Sequence, residues 1–280
     1  MNGILFGLVQ GLTEFLPISS SGHLAIFHHL CSEKADSMVP MGVLAHLGTL
    51  LAVLIFFRKD ILNLVKSISP CALEDVAREP TLLLSAVRPR DSETALFSQR
   101  LLSMIVVGTI PAAVVGLLFK DSIEQAFTNV KLVGGMLLLT AGLLLLTRFA
   151  KEGTKTVWQQ WLWYALAIGV FQAAAIMPGI SRSGATIAAG LFLGLQRDFA
   201  ARFSFLLSIP AIGGAFLLEF GEIVEAFRTQ GPWQMVAVFM AAFIVGYLSI
   251  AVLLKLISRR KLHYFGFYCF AVGILTLALL

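Results

Sequence analysis

Two apolar runs, Trp161 to Met177 and Ile187 to Leu195, flank the stretch Pro178-Gly179-Ile180-Ser181-Arg182-Ser183-Gly184-Ala185-Thr186. A helix that crosses a bilayer needs about 20 residues, and neither run reaches that length. The proline–glycine pair breaks the helix between them. An arginine at membrane depth costs about 3 kcal/mol by insertion scales, so it faces a partner or a wet cavity. Ser181, Ser183, Gly184, Thr186 and the free N–H groups of a new helix surround Arg182 with donors. Such a set suits an oxyanion, phosphate above all. The plainer alternative is an arginine that snorkels or pairs with a carboxylate, which would need none of those neighbours.

The pattern recurs near the N-terminus. Gln10 to Gly22 reads Q-G-L-T-E-F-L-P-I-S-S-S-G, and Gln172 to Gly184 reads Q-A-A-A-I-M-P-G-I-S-R-S-G. At a constant offset of 162 residues, Gln10 aligns with Gln172, Ser19 with Ser181, Ser20 with Arg182 and Gly22 with Gly184. The chain therefore reads as two related halves, 1–150 and 160–280, each opening on a broken helix pair, 4–30 and 161–195. The first copy carries Glu14, Ser20 and His23; the second carries the fixed cation.

The expected class is an all-α polytopic membrane protein. Of 280 residues 58% are hydrophobic and only 13% charged, which no soluble domain of this size matches. The net charge of +5 is spread over short loops, where it sets topology and implies no nucleic-acid partner. Met1-Asn2-Gly3-Ile4 lacks a basic n-region, so no cleaved signal peptide is expected. Cys31, Cys71 and Cys269 have no metal-ligand spacing, and the topology separates them, so no disulfide is expected.

The two broken pairs read as re-entrant hairpins. Six spans accompany them: 38–57, 101–119, 132–147, 203–220, 233–257 and 262–280. The mixed-charge segment 58–99 reads as a solvated cytoplasmic loop, with an interfacial helix over 61–68. With that loop inside, Arg148, Lys151, Lys155, Arg197, Arg202, Arg259, Arg260 and Lys261 also lie inside, against Lys34, Lys120, Lys131 and Arg228 outside. The hairpins then enter from opposite faces as an inverted repeat and meet near the midplane.

Gln10 and Glu14 share a helix face at i and i+4. A carboxylate inside an apolar hairpin needs Arg182, a metal ion or a proton. Ser20 and His23, at i and i+3, allow Ser20 as nucleophile with His23 or Glu14 as base. A rival has Glu14 activate water while His23 donates to the leaving group. Ser19, Ser20 and Ser21 also read as an N-cap cluster that starts the second arm. No partners are expected for His28, His29, His46 or His263.

Q-G-L-T-E-F-L-P-I-S-S-S-G-H and P-G-I-S-R-S-G-A-T resemble the two signature motifs of the bacterial undecaprenyl-diphosphatase, or bacitracin-resistance, family. The resemblance extends over the whole chain in length and hydropathy. It implies hydrolysis of undecaprenyl diphosphate to undecaprenyl phosphate and inorganic phosphate, which recycles the lipid carrier for cell-wall synthesis. It implies Mg²⁺ or Ca²⁺ as cofactor, and an outward-facing site in a bacterial inner membrane. It further implies functional roles for Ser20, His23 and Arg182. The family motif begins with Glu or Gln; with Gln10 here, a metal or acid/base role falls mainly on Glu14. Ser19, Ser21, Ser181, Ser183, Gly184 and Thr186 complete the expected phosphate site, and a homodimer is one compatible assembly. Two alternatives use the same cation: a lipid-carrier transporter and a binding protein without turnover. Neither needs the Glu-Ser-His set.

Overall fold

In the computed structural model, the described residues are 3–31, 38–67, 91–155, 161–218, 220–221 and 231–280. They are almost wholly helical. In chain order, α1 spans Gly3–Phe15, α2 Ser20–Cys31, α3 Met38–Phe56, α4 Arg58–Lys66, α5 Asp91–Leu118 and α6 Lys120–Thr128. Then come α7 Val130–Leu146, α8 Trp161–Ala174, α9 Arg182–Phe192, α10 Arg197–Leu218, α11 Pro232–Ser258 and α12 Tyr264–Leu279. A 3₁₀ turn, Thr147–Phe149, ends α7.

Four helices are long and apolar enough to cross a bilayer: Leu96–Leu118, Val130–Phe149, Arg197–Leu218 and Pro232–Ser258. A fifth results if α3 and α4, bent by 74° across Phe57, form one span. Helices α1, α8 and α12 are apolar but shorter. At 1.5 Å per residue, α12 covers about 24 Å of a hydrocarbon core of about 30 Å. It corresponds to the sixth expected span. In the segment 58–99, α4 occupies the place of the interfacial helix expected over 61–68, whereas α5 begins at Asp91, ten residues before the span expected from 101. Residues 68–90 lie outside the described set. The short helix α6 has no counterpart in the sequence reading. Its polar face, Lys120, Asp121, Glu124 and Gln125, gives it no membrane-type signal.

Each broken pair packs on a long helix of the other half: α1 on α11, and α8 on α5. Small residues allow this. A Cβ on Gly7 would lie 2.4 Å from the Val238 carbonyl of α11, and one on Gly169 would lie 2.5 Å from the Gly108 carbonyl of α5. Gly7 and Gly169 are one repeat offset apart. In a bilayer, helix association relies on close backbone approach of this kind rather than on apolar burial. Helices α7 and α12 pack on each other, and α3 packs on both α10 and α11. The largest apolar cluster includes Phe15, Phe57 and Phe205, and the Phe205 ring lies 5.6 Å from each of the other two, centroid to centroid.

The basic connections gather at one end. Arg202 reaches Asp60 at 3.5 Å, Arg197 donates to the Ala150 carbonyl, and Arg260 pairs with Glu152. A β-bridge joins Lys155 to Leu195. Lys34 and Arg228, expected at the opposite end, lie outside the described residues.

Candidate active site

The two helix breaks, 16–19 and 175–181, touch. A Cβ on Gly22 would sit 3.1 Å from Gly179 Cα, and one on Gly184 would sit 3.3 Å from Pro17 Cβ. Those contacts are one relation read twice, since the repeat offset carries Pro17 onto Gly179 and Gly22 onto Gly184. The local bonds repeat as well. Gly22 N–H donates to Ser19 Oγ at 3.2 Å, and Gly184 N–H donates to Ser181 Oγ at 3.1 Å. The Ser19–Ser21 and Ser181–Ser183 hydroxyl pairs lie at 3.2 and 3.3 Å. Each outer serine caps the second arm of its pair by accepting an otherwise orphaned N–H.

Three side chains converge across the contact. The Glu14 carboxylate is only 7% exposed. Its Oε1 accepts from Arg182 Nη2 at 2.5 Å. Its Oε2 accepts from Ser20 Oγ at 2.6 Å and from Gln10 Nε2 at 2.9 Å. A buried carboxylate survives where charge-assisted donors of this kind replace water. Ser20 and Arg182 are the repeat-related pair, so equivalent positions in the two halves hold the two oxygens of one carboxylate.

His46 adds a fourth group. Its Nδ1 lies 2.7 Å from the Gly42 carbonyl, and its Nε2 lies 3.6 Å from Glu14 Oε2. The expectation that His46 lacks a partner is therefore corrected. It sits 32 residues along the chain from Glu14, on α3, and only the packing of α3 against α1 brings the two together. His23 differs from expectation in the other direction. Its ring contacts the Ser19 carbonyl at Nδ1 and Tyr268 Oη at Nε2, both at 2.8 Å, and makes no bond to Ser20 or Glu14.

The expected phosphate donors of the second break are largely engaged within the protein. Ser181, Ser183 and Thr186 are buried. Thr186 Oγ1 reaches the Arg182 carbonyl at 2.8 Å and Ser204 Oγ at 2.6 Å, which ties α9 to α10. The physical reason is burial at a helix break, where unmade hydrogen bonds are costly and short hydroxyls make them locally. Thr140 and Ser204, neither singled out in the sequence, complete this packing. Thr140 donates to the Gly179 carbonyl at 2.9 Å and accepts from Ser181 N–H at 3.1 Å. Arg182 keeps guanidinium N–H groups beyond the one on Glu14, and its side chain is 19% exposed.

A divalent ion was expected on Glu14 and Gln10. Among the described residues no three His, Cys, Asp or Glu side chains gather as a ready metal cluster. Yet Gln10 is fully buried, and its Oε1 has no donor. An orphaned acceptor beside a carboxylate fits a hard cation that takes its other ligands from water or phosphate oxygens.

Residues 3–275 match the family described as bacitracin resistance protein BacA. The chain belongs to the BacA family. Its relatives include proteins named undecaprenyl-diphosphatase. That of Desulfosudis oleivorans is 43% identical over 279 residues, covering 99% of this chain and 97% of the relative. That of Desulforapulum autotrophicum is 41% identical over 277 residues, covering 98% and 96%. That of Korarchaeum cryptofilum is 41% identical over 277 residues, covering 99% and 98%. These BacA relatives bear a hydrolase's name rather than a carrier's, and the family resemblance drawn from the two motifs stands.

Proposed function

We infer that this BacA-family chain is an undecaprenyl-diphosphatase, which releases inorganic phosphate from a membrane lipid diphosphate at the contact of the two helix breaks. The observation that carries the site assignment is the shared Glu14 carboxylate, with Ser20 on one oxygen and Arg182 on the other. In the reaction Ser20 Oγ bonds to the terminal phosphorus. The anhydride P–O bond breaks, its electron pair leaves with undecaprenyl phosphate, and the serine proton passes to Glu14 Oε2. Glu14 gives that proton up to the departing undecaprenyl phosphate. Water then attacks the phosphoserine phosphorus and passes a proton to Glu14, which returns it to Ser20 Oγ as the P–Oγ bond breaks and inorganic phosphate leaves. Arg182 spans Glu14 and the phosphate, using its remaining N–H groups on the oxygens where charge develops. A divalent ion, Mg²⁺ or Ca²⁺, would be held by Glu14 and Gln10 and would neutralise phosphate charge.

The fold that accompanies this reading has six spans and two re-entrant hairpins, 4–30 and 161–195, in inverted halves 1–150 and 160–280. The repeated capping bonds and the reciprocal glycine contacts support it. Non-helical backbone at membrane depth is tolerated where it lines a protein-enclosed or watery cavity, and this reading gives both breaks that position. The protein would lie in a bacterial inner membrane with its site open to the outer face, recycling the carrier for wall synthesis. The charge bias of the loops supports that orientation. A homodimer is a further expectation, to be tested by cross-linking in membranes.

Phosphate release from undecaprenyl diphosphate by the purified protein in detergent tests the activity. The expected outcome is turnover that EDTA suppresses and Ser20→Ala abolishes. Retention of most release by Ser20→Ala would move the attack to water activated by Glu14. Orientation is tested with single cysteines near positions 34 and 155 and an impermeant thiol reagent on intact cells, in a background without Cys31, Cys71 and Cys269. Labelling at 155 with protection at 34 would reverse it.

A further inference from the structure

His23 has both ring nitrogens engaged, and the partners fix which carries the hydrogen. The Ser19 carbonyl can only accept, so His23 Nδ1–H donates to it. In the neutral ring Nε2 then presents a lone pair, and Tyr268 O–H donates to that lone pair. The two rings lie nearly parallel, at an interplanar angle of 7° with centroids 5.6 Å apart. Tyr268 belongs to α12, 245 residues along the chain from His23. Its neighbour Cys269 donates its thiol to the Pro17 carbonyl at 3.6 Å. Two consecutive residues of α12 therefore bond the first hairpin, Cys269 at the break itself and Tyr268 at the start of its second arm.

The Ser19 carbonyl is the junction. It accepts both the backbone N–H of His23, at 3.1 Å, and the ring Nδ1–H. Ser19 itself adopts a left-handed conformation, φ 69°, which a residue with a Cβ rarely holds without support. The peptide that carries this carbonyl joins Ser19 to Ser20. A rotation there would swing the Ser20 hydroxyl away from Glu14.

We propose that Tyr268 is a positioning residue for hydrolysis, acting through the His23 ring on the Ser19–Ser20 peptide and so aiming the Ser20 hydroxyl at Glu14. The chain of contacts runs Tyr268 O–H to His23 Nε2, His23 Nδ1–H to the Ser19 carbonyl, and that peptide to Ser20. Tyr268 touches neither Ser20 nor Glu14. This role rests on the reading that Ser20 is the reacting group of the diphosphatase site.

The test is Tyr268→Phe in the full-length protein, which deletes the hydroxyl and keeps the ring that stacks on His23. With undecaprenyl diphosphate as substrate, kcat should fall about fivefold, the equivalent of one ordinary hydrogen bond, while KM and thermal stability hold. A purely structural role would lower stability instead of dividing kcat from KM. In a His23→Ala background, Tyr268→Phe should cost nothing more. Histidine labelled with ¹⁵N supplies a readout independent of turnover. The His23 signals, assigned by their loss in His23→Ala, should show one Nδ1–H tautomer in the parent and a shifted Nε2 in Tyr268→Phe. An unchanged kcat, a full extra loss on top of His23→Ala, or an unmoved Nε2 signal would each overturn the proposal. A fully active Ser20→Ala would instead defeat the site reading itself, with the ¹⁵N result still deciding whether Tyr268 holds His23.

Discussion

The two helix breaks perform the same capping job with different backbones. At the second break, Gly179 takes the left-handed turn at φ 98°, and Ser181 caps α9 from an extended conformation, φ −74° and ψ 117°. At the first, the residue equivalent to Gly179 is Pro17, whose ring forbids positive φ. The left-handed turn shifts by two residues onto Ser19, which is also the cap. The clamps differ in kind. Thr140 on α7 holds the second break with a donated and an accepted bond, whereas Cys269 on α12 holds the first with one long thiol contact. In both cases the clamp comes from the half that does not contain the break. The break with Gly179 and two hydroxyl bonds presents Arg182, a fixed charge. The break with a left-handed serine and a thiol presents Ser20, the group read here as reacting. Conformational cost concentrates where the chemistry is placed, a common feature of functional sites.

The sharpest way to break this division of labour is to remove the charge or hydroxyl at the first break. Glu14→Gln and Ser20→Ala should each reduce phosphate release by 10³-fold or more, an order of magnitude typical of losing a nucleophile or its base. Glu14→Ala should in addition lower thermal stability, because it strands the Arg182 guanidinium at a cost of about 3–5 kcal/mol. Release assays paired with fluorescence size-exclusion melting separate the two effects. Near-normal turnover by Glu14→Gln would return Glu14 to a purely neutralising part.

Arg182 tests the other side. Arg182→Lys should be nearly as impaired as Arg182→Ala, by about 10²–10³-fold, since an ammonium cannot bridge a carboxylate and a phosphate with a planar fork. If Arg182 only neutralises Glu14, lysine should restore much of the rate, and Arg182→Ala combined with Glu14→Gln should recover activity. Measuring release and melting for all four proteins discriminates between these outcomes.

The backbone contrast is sharpened by Gly179→Ala. A Cβ there would meet the Val133 carbonyl at 2.5 Å and would also require a left-handed alanine. A loss of about 2–4 kcal/mol is expected, read as a fall in melting temperature, from overpacking and strain together.

The clamps should follow in order of their bonds. Thr140→Val leaves the Gly179 carbonyl and the Ser181 N–H unpaired and should cost about 2 kcal/mol. Cys269→Ala should cost less than 1 kcal/mol, because a thiol is a weak donor. The smallest difference concerns the caps. Ser19→Gly trades a lost cap for relief of a left-handed side chain, so it should be milder than Ser181→Gly by a few tenths of a kcal/mol or more. Equal losses would mean that the two breaks carry equal strain.

Much of the site was legible in the sequence because its signals are local. The prolines and glycines mark both breaks, the offset of 162 residues pairs Ser20 with Arg182, and an isolated carboxylate in an apolar run needs a cation or a proton. The i and i+4 spacing of Gln10 and Glu14 places them on one face, and the structure has them bonded at 2.9 Å. Helix positions followed from hydropathy, apart from α6 and the early start of α5, whose polar residues give no membrane signal.

Partner choice across the fold was not legible. The i and i+3 spacing placed His23 beside Ser20, but a helix face is shared by whatever packs against it, and Tyr268 of α12 takes that ring. His46 looked unpartnered because no charged residue lies within four positions of it, and the packing of α3 on α1 brings it to Glu14. Thr140 and Cys269 are ordinary residues in apolar helices until the opposite break is set against them. Periodicity and helix-breaking chemistry act within a few residues, so the chain by itself determined its elements, its repeat and the residues that need one another. Which distant hydroxyl, thiol or imidazole satisfies a buried group depends on helix contacts between the halves, and only the tertiary structure decided that.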